Sequence, residues 1–350
     1  MKGIAVNTNA LVGIDVGYGN VKALAFDMAT GDTTQIVMPV GAAPANRAAQ
    51  AVDGGGVDVG EGALVEIDGE TWVAGVHPLT LQNFSRPTHS RYPKTREYLA
   101  LFYAALARLG VSRIPLLVTG LPVRQYIDGK ENGEVTELRQ RLQGIHYIAR
   151  GKQVTIERVM VVPQPAGAYT DLLQSEPDLA RRREVTTLVV DVGYYSTDWV
   201  LARDGRILNA HSSSVTDATS MIIEAAAAQI SLANGGVRFS PARLEAAMRK
   251  GAATMALGSK EIDYRAFLSA AAADVGGRVV SEACSRLRSQ PDMVDLVLIA
   301  GGGGSFVERM FHDNFSQSRI VLSQEPVMAN VRGFLAIGRG AHDSLASRSA

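Results

Sequence analysis

Residues 11–22 read LVGIDVGYGNVK, and this stretch decides the fold. The apolar run Leu11 to Ile14 leads into Asp15, then Gly17 and Gly19, then a second apolar run from Val21 to Phe26 that carries Lys22. Two strand-like runs around a glycine turn predict a β-hairpin. The turn holds a carboxylate and two residues able to take positive φ. Its backbone N–H groups can approach an anion, and Lys22 adds a positive charge. A carboxylate beside a phosphate makes sense only with a cation between them, and Mg²⁺ is the expected one.

The same order returns at residues 187–198, TLVVDVGYYSTD, with Asp191, Gly193, the hydroxyls of Ser196 and Thr197, and more strand from Trp199. Either copy alone reads equally as an ordinary hairpin with a capping Asp. Two copies, one in each half of the chain, favour two phosphate clamps and an internal duplication.

A chain of 350 residues, 46% hydrophobic and 20% charged, is long and apolar enough for two α/β domains and argues against disorder. Lys+Arg and Asp+Glu are both 35, so there is no basic surplus for coating nucleic acid, and no direct nucleic-acid contact is expected. The single cysteine, Cys284, excludes an intramolecular disulfide and reads as a buried helical thiol. Met1 to Ala10 lacks a basic start with an apolar core, and no apolar run is long enough for a membrane span. A cytoplasmic protein without membrane contact is the expectation.

Along the chain, Met1 to Asn9 reads as a ragged terminus and Asp32 to Met38 as a strand. Gly41 to Gly62, with Gly54-Gly55-Gly56, reads as loop or insertion. Glu66 to Gly75 predicts a hairpin turning at Asp68-Gly69. Helices are predicted over Thr95 to Leu109, Asn132 to Leu142, Thr216 to Ser231, Ser240 to Met248 and Tyr264 to Leu287, and strands over Ile114 to Thr119 and Val154 to Val162. Gln164-Pro165-Ala166-Gly167-Ala168-Tyr169 begins a helix running through Leu173. Pro177 to Glu184, with Arg181 to Arg183, reads as a solvated loop. Met293 to Ala300 is an apolar strand feeding Gly301-Gly302-Gly303-Gly304, with a helix from Phe306. Such glycines suit a flat ligand or a phosphate at a helix start, though a plain loop also carries them. Pro326 to Gly340 predicts a last helix with small residues on one face.

This order of features resembles the actin/sugar-kinase/chaperone ATPase superfamily across most of the chain. Within it, the likeness is greatest to prokaryotic actin-like proteins of the ParM/StbA type, which segregate plasmids. Val118 to Val123, Trp72 to Gly75 and Ala329 to Phe334 carry that likeness. The resemblance implies an α/β, actin-like fold of duplicated ribonuclease-H-like domains with a nucleotide cleft between them. Residues 1–165 with 329–350 would form domain I, with an insertion at about 41–91, and residues 166–328 would form domain II.

It also implies ATP or GTP with Mg²⁺. Asp15 and Asp191 would hold the metal through water. Gly17, Tyr18, Gly19, Asn20, Lys22, Gly193, Tyr194, Tyr195, Ser196 and Thr197 would surround the phosphates. Gly302 and Gly303 would pass beneath the adenine, and Gly301 and Gly304 beside them would also bind the nucleotide. Gln164 stands where the family positions the attacking water, with Asp191 polarising it; alternatively Gln164 is a helix-start cap. Glu224 either reaches the ribose or is solvated. Tyr194-Tyr195 stands where many relatives have Gly and Thr, which allows a shifted loop or an altered hydrolysis rate.

The implied activity is a filament-forming ATPase driving DNA segregation, with hydrolysis controlling disassembly. Its partners would be further copies of itself and a DNA-binding adaptor on a plasmid centromere. A small-molecule kinase is the alternative, with Asp128 as a candidate base. A chaperone-like ATPase is weakened by the lack of an evident peptide-binding domain. Leu79, Leu81 and Phe84 in the insertion read either as a filament contact or as core.

Overall fold

The computed structural model describes residues 9–49, 59–182 and 184–349. The glycine triplet 54–56, Arg183 and most of the ragged terminus lie outside these. The chain forms two compact units, residues 1–182 with 327–350, and residues 183–326.

The first unit opens with β1 (Ala10–Val16), β2 (Asn20–Asp27) and β3 (Thr33–Pro39), a continuous antiparallel meander. β4 (Gly41–Pro44), β5 (Ala63–Ile67) and β6 (Glu70–Val76) form a separate sheet in the order β4-β6-β5. Gly41 to Pro44 is therefore strand, where the Ala/Gly composition suggested loop. Asp68 and Gly69 both take positive φ (51° and 80°), the requirement of a tight two-residue hairpin. Leu81 is buried in this small core and Phe84 packs against it, whereas Leu79 is 54% exposed. Leu81 thus belongs to core and not to a surface contact.

α1 (Arg96–Leu109) is capped by the Thr95 hydroxyl, which accepts from the Tyr98 N–H, and ends at Gly110 in the left-handed region. β7 (Arg113–Ile114) and β8 (Leu117–Leu121) replace the single strand read from sequence. Pro115, lacking a donor, stands at the break. Gly133, at φ 85°, likewise splits α2 (Val123–Asn132) from α3 (Glu134–Leu142). β9 (Gly144–Ala149), β10 (Lys152–Ile156) and β11 (Val159–Pro163) follow, then α4 (Gln164–Ser175) and the single turn α5 (Pro177–Arg181), where a loop was expected. At Pro115, and again between β10 and β11, the chain leaves the sheet β7-β10-β9 and enters the sheet β11-β8-β1-β2-β3.

The second unit contains β12 (Thr187–Val192), β13 (Thr197–Arg203), β14 (Arg206–Ile207), β15 (Ser213–Val215), α6 (Thr219–Ala233), α7 (Pro241–Arg249), the hairpin β16 (Met255–Leu257) and β17 (Lys260–Ile262), α8 (Arg265–Leu287), β18 (Leu296–Ala300), α9 (Gly304–Asn314) and β19 (Arg319–Leu322). Its main sheet runs β14-β13-β12-β18-β19. Reversed, this repeats the first unit's pattern. A hairpin and a third antiparallel strand are extended, on the first strand's side, by two parallel strands. The duplication heard in the two Asp-Val-Gly-Tyr motifs is thus a duplication of topology.

α8 joins two cores. Its first half packs Leu268, Ala271 and Val275 with α6, and its second half packs Val279, Val280 and Ala283 against the sheet. Cys284 is half-buried there, and burial pushes its thiol pKa up, which fits the inert thiol expected. The last helix, Ala329–Ser349, returns to the first unit and packs on α4 and β1. Among the described residues no helix is long and apolar enough to cross a membrane.

One histidine makes the first unit's stability depend on pH. His146 on β9 is 7% exposed. Its Nε2–H donates to the Leu142 carbonyl at 2.9 Å, and its Nδ1 accepts from the Tyr103 hydroxyl at 3.1 Å. Burial lowers its pKa below the ordinary 6.5, outweighing the Leu142 bond, which raises it. The folded state therefore prefers the neutral ring. Its stabilising contribution is complete above the unfolded value of about 6.5 and is lost as pH falls below it. Melting temperatures should fall on acidification, and less steeply for His146→Gln. Equal slopes for the two proteins would remove His146 as the cause.

Candidate functional site

β1, β8 and β11 are parallel, with Ile14 level with Thr119 and Thr119 level with Val161. Their carboxyl ends therefore share one edge, the place where open α/β sheets bind ligands. Asp15 lies at that edge and Gln164 begins the helix that leaves it. Asp15 is 2% exposed and sits directly across the hairpin from Lys22. Lys22 Nζ lies 2.6 Å from Asp15 Oδ2, and Gln164 Nε2 donates to Asp15 Oδ1 at 2.9 Å. One carboxylate is thus held at both oxygens.

Glycines make room for this arrangement. A Cβ on Gly17 would stand 2.9 Å from the Asn20 carbonyl and 3.2 Å from Lys22 Nζ. A Cβ on Gly120 would stand 2.8 Å from Gln164 Cγ and 2.5 Å from Phe334 Cζ. Gly17 and Gly19 do not take the positive φ that the sequence suggested. At Gly17 the demand is for space. Tyr18 is tied down by its hydroxyl, which donates to the His89 carbonyl at 3.0 Å, and by its ring, 4.6 Å from that of Tyr92. Tyr92 in turn meets Tyr98 edge to face, and Tyr98 hydrogen-bonds Thr119. Burial pushes both phenols far above the ordinary tyrosine pKa. Sequence reading missed Tyr98 and Thr119, because nothing in a helix or strand pattern marks an inward hydroxyl.

The second turn repeats the first in backbone. Gly193 N–H donates to the Ser196 carbonyl at 2.9 Å, as Gly17 N–H does to Asn20 at 3.1 Å. Across the hairpin, however, Asp191 faces Asp198 where Asp15 faces Lys22. Asp198 is 1% exposed and accepts from the Ser196 hydroxyl at 2.6 Å and from Ser214. The Thr197 hydroxyl donates to the Asp217 carbonyl at 2.6 Å. Both hydroxyls offered for phosphate by sequence therefore already have protein acceptors. Thr219 Oγ1 donates to the Gly193 carbonyl at 2.8 Å, and Ser220 N–H donates to that of Tyr194 at 2.9 Å. The start of α6 thus seats the turn. Thr219 and Asp198 escaped the sequence reading. Thr219 sat inside a helix predicted three residues too early, and Asp198, the last residue of the motif, was given no role.

The glycine loop belongs to this turn as well. A Cβ on Gly301, at φ 81°, would stand 2.3 Å from Asp191 Oδ1, and one on Gly303 2.3 Å from Thr219 Oγ1. Gly303 N–H donates to the Val192 carbonyl at 2.9 Å. These two glycines are required by protein neighbours as well as by any ligand. α9 starts at Gly304, two residues before the predicted start, and Gly302 is exposed.

Tyr194 packs against the α6–α8 core, and its hydroxyl donates to Glu245 of α7 at 3.3 Å. Arg249 holds that carboxylate at 2.8 Å. Tyr194 therefore ties the turn to α7, while Tyr195 stays half-exposed. Glu224 is exposed on α6, and Asp128 is an exposed partner of Arg124 on α2.

Among the described residues no three His, Cys, Asp or Glu side chains gather into a metal cage. The donor set fits a magnesium ion held through water, since Mg²⁺ keeps several waters and takes one or two carboxylates. Asp15, fixed at both oxygens, offers such a carboxylate in the first unit, and Asp191, 6% exposed, offers one in the second.

Gly120→Ala tests the first half of the site. Phe334 is fully buried, so the new methyl cannot be relieved on that side. The variant should lose about 1–3 kcal/mol of stability in denaturant melts and displace Gln164 from Asp15. Unchanged stability would show that the Gly120 crowding is relieved at no cost.

Two family models match the chain. One, described as the actin-like proteins N-terminal domain, covers residues 13–167. The other, described as the archaeal actin homologue MreB-like C-terminal domain, covers residues 189–313. Solved structures share the fold. A pCBH ParM non-polymerisable quadruple mutant matches at TM-score 0.74 and 18% identity, covering 95% of this chain and 100% of its own. The 15-stranded ParM filament from Clostridium botulinum matches at 0.70 and 17%, covering 95% and 99%. The archaeal actin homologue Ta0583 in complex with ADP matches at 0.70 and 19%, covering 95% and 99%. No curated protein matches.

Proposed function

Since this chain belongs to the actin-like proteins, we propose that it is an ATPase that assembles into filaments on binding ATP or GTP with Mg²⁺ and disassembles after hydrolysis. DNA segregation through an adaptor on a plasmid is the cellular role that the ParM likeness favours. The observation that carries the reading is Asp15 held between Lys22 and Gln164 at the carboxyl edge of a parallel sheet. An ammonium, a carboxylate and an amide there meet the needs of phosphoryl transfer, which asks for placement and charge compensation more than for covalent chemistry. The ADP bound by Ta0583 supports a nucleotide in this fold, and the ParM filament supports self-assembly.

In this reading Lys22 and the amides of the two turns bind the β- and γ-phosphates, and Asp15 and Asp191 hold the metal's water shell. The metal, when bound, spreads the negative charge developing on the phosphate oxygens. Gln164 is uncharged and takes no proton. Its Nε2 is committed to Asp15, so the bond orients the amide with its carbonyl as the end offered to the attacking water. Asp191 polarises that water.

Asp15→Ala should weaken Mg²⁺-dependent nucleotide binding at least about tenfold, the loss of one strong charged contact. Equal affinity in titration calorimetry would remove Asp15 from the site. Gln164→Ala should bind nucleotide within a few-fold of the wild type. It should release phosphate about a hundredfold more slowly, since losing one positioned bond costs roughly 2–4 kcal/mol at the transition state. Its filaments should persist longer. Phosphate release measured beside sedimentation checks all of this. Normal release in Gln164→Ala would reduce that residue to a brace for Asp15, and a wild type that never sediments with nucleotide would defeat the filament reading.

A further inference from the structure

The hairpin of β9 and β10 takes no part in the site, and its two faces differ. His146, Ile148, Val154 and Ile156 turn inward and are buried. The alternate residues turn outward, where Tyr147 is 68% exposed and Ile145 58% exposed. The register sets Gln153 beside Tyr147, and Thr155 between Ile145 and Arg113 of β7. These two rows stand about 6.7 Å apart along the strands. One exposed apolar side chain is ordinary, but a ring and a branched chain two residues apart on one strand make a patch.

The ionised side chains of this hairpin have one sign. Arg150 and Lys152 are exposed at its tip, on either side of Gly151, which turns the chain at φ 72°. No Asp or Glu occurs from Gly144 to Ile156. At the far end the Arg113 guanidinium is paired with Glu157 at 2.6 Å. β5 passes beside β9 and brings one carboxylate, Glu66, which the two tip cations outnumber. The chain as a whole is neutral, so the tip is a local departure from the average.

We infer that the outer face of β9 and β10 binds single-stranded nucleic acid, with a base stacked on Tyr147 and backbone phosphates on Arg150 and Lys152. A polyanion answers the charge of the tip. An unstacked base answers an exposed ring on a flat sheet, because every base has a π-face. A duplex keeps its bases stacked on one another and offers none to Tyr147. Gln153 and Thr155 place an amide and a hydroxyl beside the ring, where base edges can use them. A lipid surface fits less well, since inserting Ile145 and Tyr147 would strip water from that amide and hydroxyl and give nothing back. An acidic protein segment would use the cations and leave the ring idle. This face lies outside the two phosphate turns, and its binding does not depend on the filament reading.

The probe is fluorescein-labelled oligo(dT) of about 20 nucleotides, longer than one such site. Saturating Mg²⁺–ADP is present throughout, to keep the probe from the phosphate turns. Anisotropy should rise as protein is added. The logarithm of affinity should fall against that of salt with a slope of about −1.4, the value for two phosphates of a single strand. Tyr147→Ala should weaken binding at least about fivefold, the loss of one stacked base, and leave the slope unchanged. Tyr147→Trp should keep the affinity, and Arg150→Glu with Lys152→Glu should abolish the slope. All three positions are exposed, so melting temperatures should not move. Oligo(U) titrated beside oligo(dT) tells an RNA strand from a DNA strand. Absence of binding to both at low salt overturns the inference, and so does binding indifferent to Tyr147→Ala. Polyglutamate that displaces the probe as well as unlabelled oligo(dT) does would reduce the tip to a general anion patch. Retention on phosphatidylserine vesicles without oligonucleotide binding would make this a membrane face instead.

Discussion

A carboxylate 98% removed from solvent must have partners, because an isolated buried charge costs far more than a folded protein can spare. Asp15 has two. Lys22 reaches one oxygen across the hairpin, and Gln164 reaches the other from the start of α4. Much of the first unit follows from this requirement. The hairpin register must place Asp15 opposite Lys22. β11 must end level with β1, so that α4 begins within reach. β8, lying between them, must carry a glycine where the Gln164 side chain crosses.

The second unit keeps the backbone of this device and changes its charge. The turn hydrogen bond, the sheet order and the buried aspartate are retained, yet the cross-strand lysine has become Asp198. Two carboxylates on neighbouring strands repel unless their charge is dispersed. Hydroxyl donation from Ser196 and Ser214 does that for Asp198. The duplication has thus kept the turn and changed the residue across from its aspartate, Lys22 in the first unit and Asp198 in the second.

The parts legible in the sequence were those governed by local rules. Glycine turns, the Thr95 and Ser240 caps and the alternation of the hairpins all depend on residues close in the chain. So did the duplicated Asp-Val-Gly-Tyr motif, which named Asp15, Lys22 and Asp191 directly. The illegible parts depend on distant neighbours. Gly301 and Gly303 look like a ligand cradle in sequence, and only the fold shows Asp191 and Thr219 pressed against them. β4 lacks a strand signature because Gly41 and its alanines are chosen for closeness to β6, where a Cβ on Gly41 would stand 2.3 Å from the Val76 carbonyl. Gln164 was legible as a position but its bond to Asp15 was not, since 149 residues separate the two.

Each turn is also coupled to an element beyond it. In the first unit α4 and the terminal helix meet backbone to backbone. A Cβ on Gly333 would lie 1.8 Å from the Gly167 carbonyl, and Arg332 grips Asp171 through two nitrogens at 2.9 and 2.6 Å. Both Gly167 and Asp171 are on the helix whose first residue is Gln164. The chain's last helix therefore sets the position of an amide that acts at its first hairpin. In the second unit the link runs from the turn through Tyr194 to Glu245 on α7. Close-packed contacts of this kind do not stretch. A group that moves Gln164 must move α4 against the terminal helix, and one that moves Tyr194 must either shift α7 or break the bond to it.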